Sequence, residues 1–172
     1  MTKRKKLTPL ILTFVILAGD QITKLIIVNR IPIHTVGKSF FGGIIRIIHT
    51  RNLAIAFSIG NNLPGEVRFV LFKILPLIIL IGLLVYFLKG DDFTPLQRWA
   101  FAGILGGGTG NLLDRVIRPL GVVDFIDVKF FGIFGLERWP TFNIADSSVV
   151  VSGIILLIAF IIEDIKKHEQ KT

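Results

Sequence analysis

The chain has 172 residues, 52% of them hydrophobic and only 19% charged, with a mean hydropathy of +0.71, which excludes an ordinary water-soluble globule. It contains no cysteine, so disulfide frameworks, thiolate metal sites and cysteine nucleophiles are excluded as well. Its formal charge of +8 is dispersed and separate from the aromatic clusters, which argues against nucleic acid and for anionic lipid headgroups as the counter-charge.

The first apolar run, Leu7–Val28, follows the basic cluster Lys3–Lys6. A secretory signal would share that pattern. A cut after Ala18, however, would leave bulky Ile16 where a small residue is needed, and the run continues to Val28, so a retained membrane span is expected. Asp20 and Lys24 lie one helical turn apart on one face and predict a structural ion pair. The polar segment 29–68 contains "IIRIIHTRNLAIAFS", Ile44–Ser58, rich in β-branched residues and partly alternating, as a strand requires. A second span is expected at Phe69–Leu88, with Lys73 close enough to its start to snorkel to the interface.

A third span, roughly Leu96–Leu113, carries "FAGILGGGTGNLLDRV". Gly103 with Gly107, and Gly106 with Gly110, have the small-xxx-small spacing that lets membrane helices touch backbones. The same four-residue step continues through Asn111 to Arg115, so the glycine face leads into polar groups; Asp114 is expected to pair with its neighbour Arg115. Segment 114–143 contains a second strand-like run, "GVVDFIDVKFFGIFG", and with Phe40, Phe41, Phe130, Phe131, Phe134 and Trp139 it predicts a small β platform at the headgroup level. The last span, Ile144–Ile162, opens on Asn143 and Asp146, spaced as an N-cap and the acid of its first turn.

The basic cluster before the first span places the N-terminus in the cytoplasm, and four spans return the C-terminus there, where Lys166, Lys167 and Lys171 agree. The whole-chain Lys/Arg count divides evenly between the two sides and does not help. Under this topology Asp20, Lys24, Asn52, Asn111, Asp114, Arg115, Asp124, Asn143 and Asp146 gather at the outer level, with Lys73 as the main exception. Ionisable groups at membrane depth are costly and by default mark function.

Metal hydrolysis lacks ligands, because His34, His49 and His168 are scattered and no His-Glu-x-x-His occurs. Ser58, Ser147, Ser148 and Ser152 stand in no nucleophile elbow, and sequence places none of them beside Lys73. Carboxylates remain: two held close cannot both ionise, so one polarises a carbonyl while the other takes a proton from water. Asp146 therefore needs a partner at its own depth, and residue types alone leave Asp124 and Asp127 both open.

The combination "DQITK" (Asp20, Lys24), "RNLAIAFS" (Asn52, Ala56, Phe57), "GGGTGNLLDRV" (Gly107, Asn111, Asp114, Arg115), "VVDFI" (Asp124) and "FNIADS" (Asn143, Ala145, Asp146) resembles the bacterial lipoprotein signal peptidases, signal peptidase II. The motifs run in order from Asp20 to Ser147; Ala54 departs from them, standing where that family often has glycine. The resemblance implies a single membrane peptidase domain over residues 1–172, α-helical with four transmembrane helices and a small extracytoplasmic β platform, in the bacterial inner membrane. It implies Asp124 and Asp146 as the catalytic dyad of an aspartic peptidase. It implies Asn52, Asn111, Arg115 and Asn143 as groups that position substrate and orient the carboxylates, and Asp20, Lys24, Gly107 and Ala145 as supporting residues. No cofactor is expected. The implied substrate is a prolipoprotein bearing diacylglycerol on a cysteine, cut on the N-terminal side of that cysteine, by a monomer whose other partners are membrane lipids. Two other classes fit the bare residues: a small transporter using the same polar cluster, which should show an inverted repeat and does not, and an assembly subunit held by its glycine face.

Overall fold

The computed structural model describes residues 6–53 and 63–169. Lys3, Arg4 and Lys5 of the basic cluster, the Ala54, Ala56, Phe57 and Ser58 positions of the second motif, and Lys171 lie outside the described residues. Four long helices and four strands follow one another as α1 (Leu10–Arg30), β1 (Val36–Phe40), β2 (Ile45–Asn52), α2 (Gly65–Lys89), α3 (Pro95–Ile117), β3 (Val122–Ile133), β4 (Leu136–Arg138) and α4 (Ile144–Glu169). The strands form one antiparallel sheet in the order β1-β2-β3-β4. The expected strands are thus β2 and β3. The outer strands β1 and β4 were not expected, being short and, in β1, interrupted by Gly37.

Three helices, α1, α2 and α4, are long and apolar enough to cross a bilayer, and their exposed surfaces carry residues such as Phe14, Ile78 and Leu157. The remaining helix, α3, is 23 residues long but less apolar; its middle turns stand at the centre of the bundle, while Leu96 and Trp99 at its start and Val116 and Ile117 at its end are exposed. Between Ala100 and Asp114 it buries Phe101, Ala102, Gly103, Leu105, Gly106, Gly107, Gly110 and Leu112 against its neighbours. It packs most extensively on α4, then on α1, then on α2. Its start is specified locally: Thr94 accepts from the Gln97 amide and Gln97 reaches back to the Thr94 amide, with Pro95 at the first helical position.

The glycine face decides how close these helices come. A side chain at Gly107 would strike the Ala145 carbonyl and Val149 on α4, and one at Gly106 would sit 3.0 Å from the Thr13 carbonyl oxygen on α1. Gly107→Ala is therefore expected to lower stability in detergent by roughly 1–3 kcal/mol through overpacking. Gly82→Ala and Gly153→Ala, where a new methyl meets nothing within 4 Å, should leave the melting temperature unchanged or raise it.

Polar groups do not all lie at one end, as the sequence suggested. At the end of α2, Arg98 is only 1% exposed and donates to the Gly90 and Phe87 carbonyl oxygens at 2.5 and 3.4 Å, while Gln97 donates to Glu163 at 2.7 Å. The Arg98 bonds close the α2 C-terminus from α3, and the Gln97 bond ties the start of α3 to α4. At the opposite end, Ile27 of α1 packs under Val123 and Phe125 of β3 and seats the sheet on the bundle. Asp127, farther along β3, is held by Arg46 of β2 at 2.5 Å and Arg138 of β4 at 2.6 Å.

Candidate active site

Five elements bring the predicted polar residues together: the C-terminal halves of α1 and α3, strand β3 with its neighbour β2, and the first turn of α4. At the α4 start, Asn143 caps the helix; its Oδ1 accepts from the Asp146 amide at 2.9 Å and the Asp146 carboxylate accepts from the Asn143 amide at 3.0 Å. The next orphan amide, Ala145 N–H, donates to Asp20 of α1 at 3.0 Å. Ala145 is fully buried against Gly107 and Gly110, where a larger side chain would push α4 off the bundle. Asp146 is thereby fixed by backbone geometry as well as by its own side chain.

Asp124 approaches from the sheet. Gly121, at φ 83° in the turn after α3, passes so close to the Asn52 backbone that a side chain there would collide with it, and this lets β3 begin directly against β2. The Asp124 carboxylate accepts from Asn143 Nδ2 at 2.7 Å and from Asn52 Nδ2 at 3.2 Å. Asn143 therefore links both carboxylates, Asp146 through its backbone and Asp124 through its side chain. Asn111 Nδ2 donates to Asp146 at 2.7 Å, and Asn111 Oδ1 accepts from Asn143 Nδ2 at 3.1 Å and from Lys24 Nζ at 3.0 Å. Burial, followed by the negative charge of Asp146, pushes the Asp124 carboxyl up to about 7.

Behind Asn111 lies a fully buried ionic cluster. Lys24 contacts Asp20 at 2.8 Å, the pair expected from their spacing, and also Asp114 at 3.1 Å. Asp114 was expected to pair with Arg115; its ion partners are instead Lys24 and, at 3.0 Å, Arg118. The i,i+4 step to Arg118 lies along the helix face, whereas the adjacent Arg115 projects from another side. Gln21 donates to Asp114 at 3.0 Å and to the Gly110 carbonyl at 3.2 Å, and Asp114 accepts from the Val123 amide at 3.0 Å, locking β3 to α3. Sequence reasoning missed Gln21 and Arg118; their signal was an i,i+4 or neighbouring position to residues already singled out.

A cavity of about 580 Å³ opens beside the two carboxylates, lined by the polar Asp124, Asp146, Asn52, Asn111 and Arg115 and by apolar residues that include Trp139, Phe142 and Val150. Such a chamber joins a small polar centre to a large apolar wall. That suits a substrate with a hydrolysable polar bond and an oily attachment.

Residues 12–162 match the family described as signal peptidase (SPase) II. The chain belongs to the signal peptidase II family. Relatives agree: a lipoprotein signal peptidase of Treponema pallidum is 46% identical over 159 residues, covering 92% of this chain and 86% of the relative. One from Borrelia duttonii is 43% identical over 172 residues, covering 100% and 98%. Among solved structures, a bacterial membrane enzyme matches with a TM-score of 0.77 at 32% identity, covering 91% of this chain and 89% of that one. A signal peptidase II is an aspartic peptidase that removes signal peptides from prolipoproteins, and the chain is accordingly a helical membrane enzyme with a sheet platform. Nothing in these likenesses supports the transporter reading.

Proposed function

We propose that Asp124 and Asp146 are the catalytic dyad and that the substrate is a prolipoprotein carrying diacylglycerol on a cysteine, cut on the N-terminal side of that cysteine. The observation that carries this reading is Asn143, which bonds to both carboxylates and holds them at a cavity whose lining is otherwise largely apolar. The dyad holds one proton between its members. The protonated carboxyl donates to the scissile carbonyl oxygen while the ionised one takes a proton from the attacking water; the tetrahedral intermediate then collapses with a proton returned to the leaving amine. Asn111 and Asn143 hold the carboxylates in register. Asn52 and Arg115 line the substrate chamber, with Arg115 as the cation available to a developing oxyanion.

The chain acts as one peptidase domain over residues 1–172 and as a monomer. It sits in the bacterial inner membrane with both termini in the cytoplasm and the sheet and dyad toward the outer face. Because the chain has no cysteine, single cysteines report its orientation without background. Lys129→Cys on β3 should react with a membrane-impermeant maleimide in cells whose outer layer has been opened, and Lys166→Cys at the end of α4 only after lysis; the reverse pattern would overturn the orientation.

The raised Asp124 carboxyl gives a pH dependence. The singly protonated dyad is lost as pH rises and Asp124 gives up its proton, so kcat/KM should fall with an alkaline limb near pH 7. Asn52 donates to the charged form and so holds that value down. Asn52→Ala should therefore move the limb to higher pH, as read from kcat/KM profiles of the two proteins.

A further inference from the structure

A second cavity, of about 460 Å³, lies on the far side of Arg115 from the dyad, between the start of α2 and the end of α3. Among the described residues four cationic side chains line it, Arg68, Lys73, Arg115 and Arg118, and no acid does. Their charges are not equally matched. Arg118 and Lys24 together balance Asp114 and Asp20, while Arg115 faces the dyad. Arg68 and Lys73 have no ion pair among the described residues. Burial, and then the positive charge of Arg118, push the Arg51 guanidinium below its usual range, with Asp114 opposing.

The cavity is built rather than incidental. Helix α2 widens into a π-turn over Val70–Ile74, and this single wide turn carries Phe72 inward to 5% exposure and Lys73 to the cavity wall. Pro76 explains the turn locally: lacking an amide hydrogen, it cannot continue the ordinary ladder to the Phe72 carbonyl. The Arg115 guanidinium lies over the Phe72 ring at 5.9 Å and the Lys73 ammonium over Phe69 at 5.7 Å, so the cations are held over rings on one side. The mouth is apolar, with Phe69, Val116 and Ile117 each more than half exposed on membrane-facing helices.

We propose that this cavity binds the phosphate headgroup of an anionic phospholipid, with Arg68 and Lys73 as its principal contacts and the acyl chains lying along Phe69, Val116 and Ile117. Arginine and lysine at a helix end meet a phosphodiester with charge-assisted hydrogen bonds, and the apolar mouth suits a ligand that arrives from the bilayer rather than from water. Asn52 and Arg115 line both cavities, so the bound headgroup forms the back of the dyad's chamber.

The test is competitive lipid retention by the purified full chain, read by native mass spectrometry with phosphatidylglycerol and phosphatidylcholine of matched chains at equal concentration. The wild type should retain phosphatidylglycerol with about tenfold preference, and Arg68→Gln/Lys73→Gln should lose it. A control of the same charge change on the sheet, Lys38→Gln/Lys129→Gln, should keep it. Should the double variant fail to fold, as judged by its melting curve, Lys73→Gln alone makes the same comparison with a smaller loss. Equal retention of both lipids by the wild type, or preference unchanged in the cavity variants, overturns the proposal. So does displacement of the lipid by inorganic phosphate, which would assign the cavity to a soluble anion.

Discussion

Asp146→Asn and Asp124→Asn should each lower turnover of a lipid-modified precursor by roughly 10²–10⁴-fold while leaving a folded membrane protein. An asparagine at 146 keeps one acceptor, the oxygen facing the Asn143 amide, and gives up the bond from Asn111; Asn143 Oδ1 still accepts from the amide of residue 146, so the α4 cap and the bundle survive. An asparagine at 124 likewise still accepts from Asn143. What each loses is the ability to exchange a proton. Melting curves run beside the cleavage assay separate the two effects: a variant with normal stability and full turnover would remove its carboxylate from the mechanism. Asp127→Asn is the contrast, because Asp127 holds Arg46 and Arg138 farther along the sheet; its loss should weaken the platform more than the chemistry.

Lys24→Met should be the most destabilising single change in the bundle. It leaves Asp20 and Asp114, both fully buried, without the cation they share. Removing one partner of a buried ion cluster costs about 3–5 kcal/mol because a desolvated charge is left behind. The measurement is thermal unfolding in detergent. Adding Asp20→Asn and Asp114→Asn to the same chain should recover much of the loss, since asparagine can still accept from the Ala145 and Val123 amides. No recovery would mean that Lys24 acts by packing alone.

The spans, the glycine face and the cap at Asn143 were legible because each is a local pattern: an apolar run, a four-residue step, an Asn three residues before an Asp. The choice between Asp124 and Asp127 was not. Three residues apart on a strand, their side chains point to opposite faces, and residue types do not say which face meets the bundle. Packing of Val123 and Phe125 on Ile27, and the bond of Asp114 to the Val123 amide, settle the register that turns Asp124 toward Asn143. Arg98 was overlooked for a related reason. It lies in the first turn of α3, and only the return of α2 shows the open carbonyls that it closes. The weak apolar character of α3 was itself a signal, of a helix whose middle turns are buried among its neighbours.

The most direct measurement is cleavage of a synthetic diacylglyceryl-cysteine precursor by the purified chain, with and without a chelator, reading the new N-terminus by mass spectrometry for the wild type and the Asp124→Asn, Asp146→Asn and Asp127→Asn variants. A product beginning at the lipidated cysteine, unaffected by chelator, absent from the first two variants and present with Asp127→Asn, is the expected result. Full cleavage by Asp124→Asn or Asp146→Asn, or activity lost on chelation, would contradict the dyad.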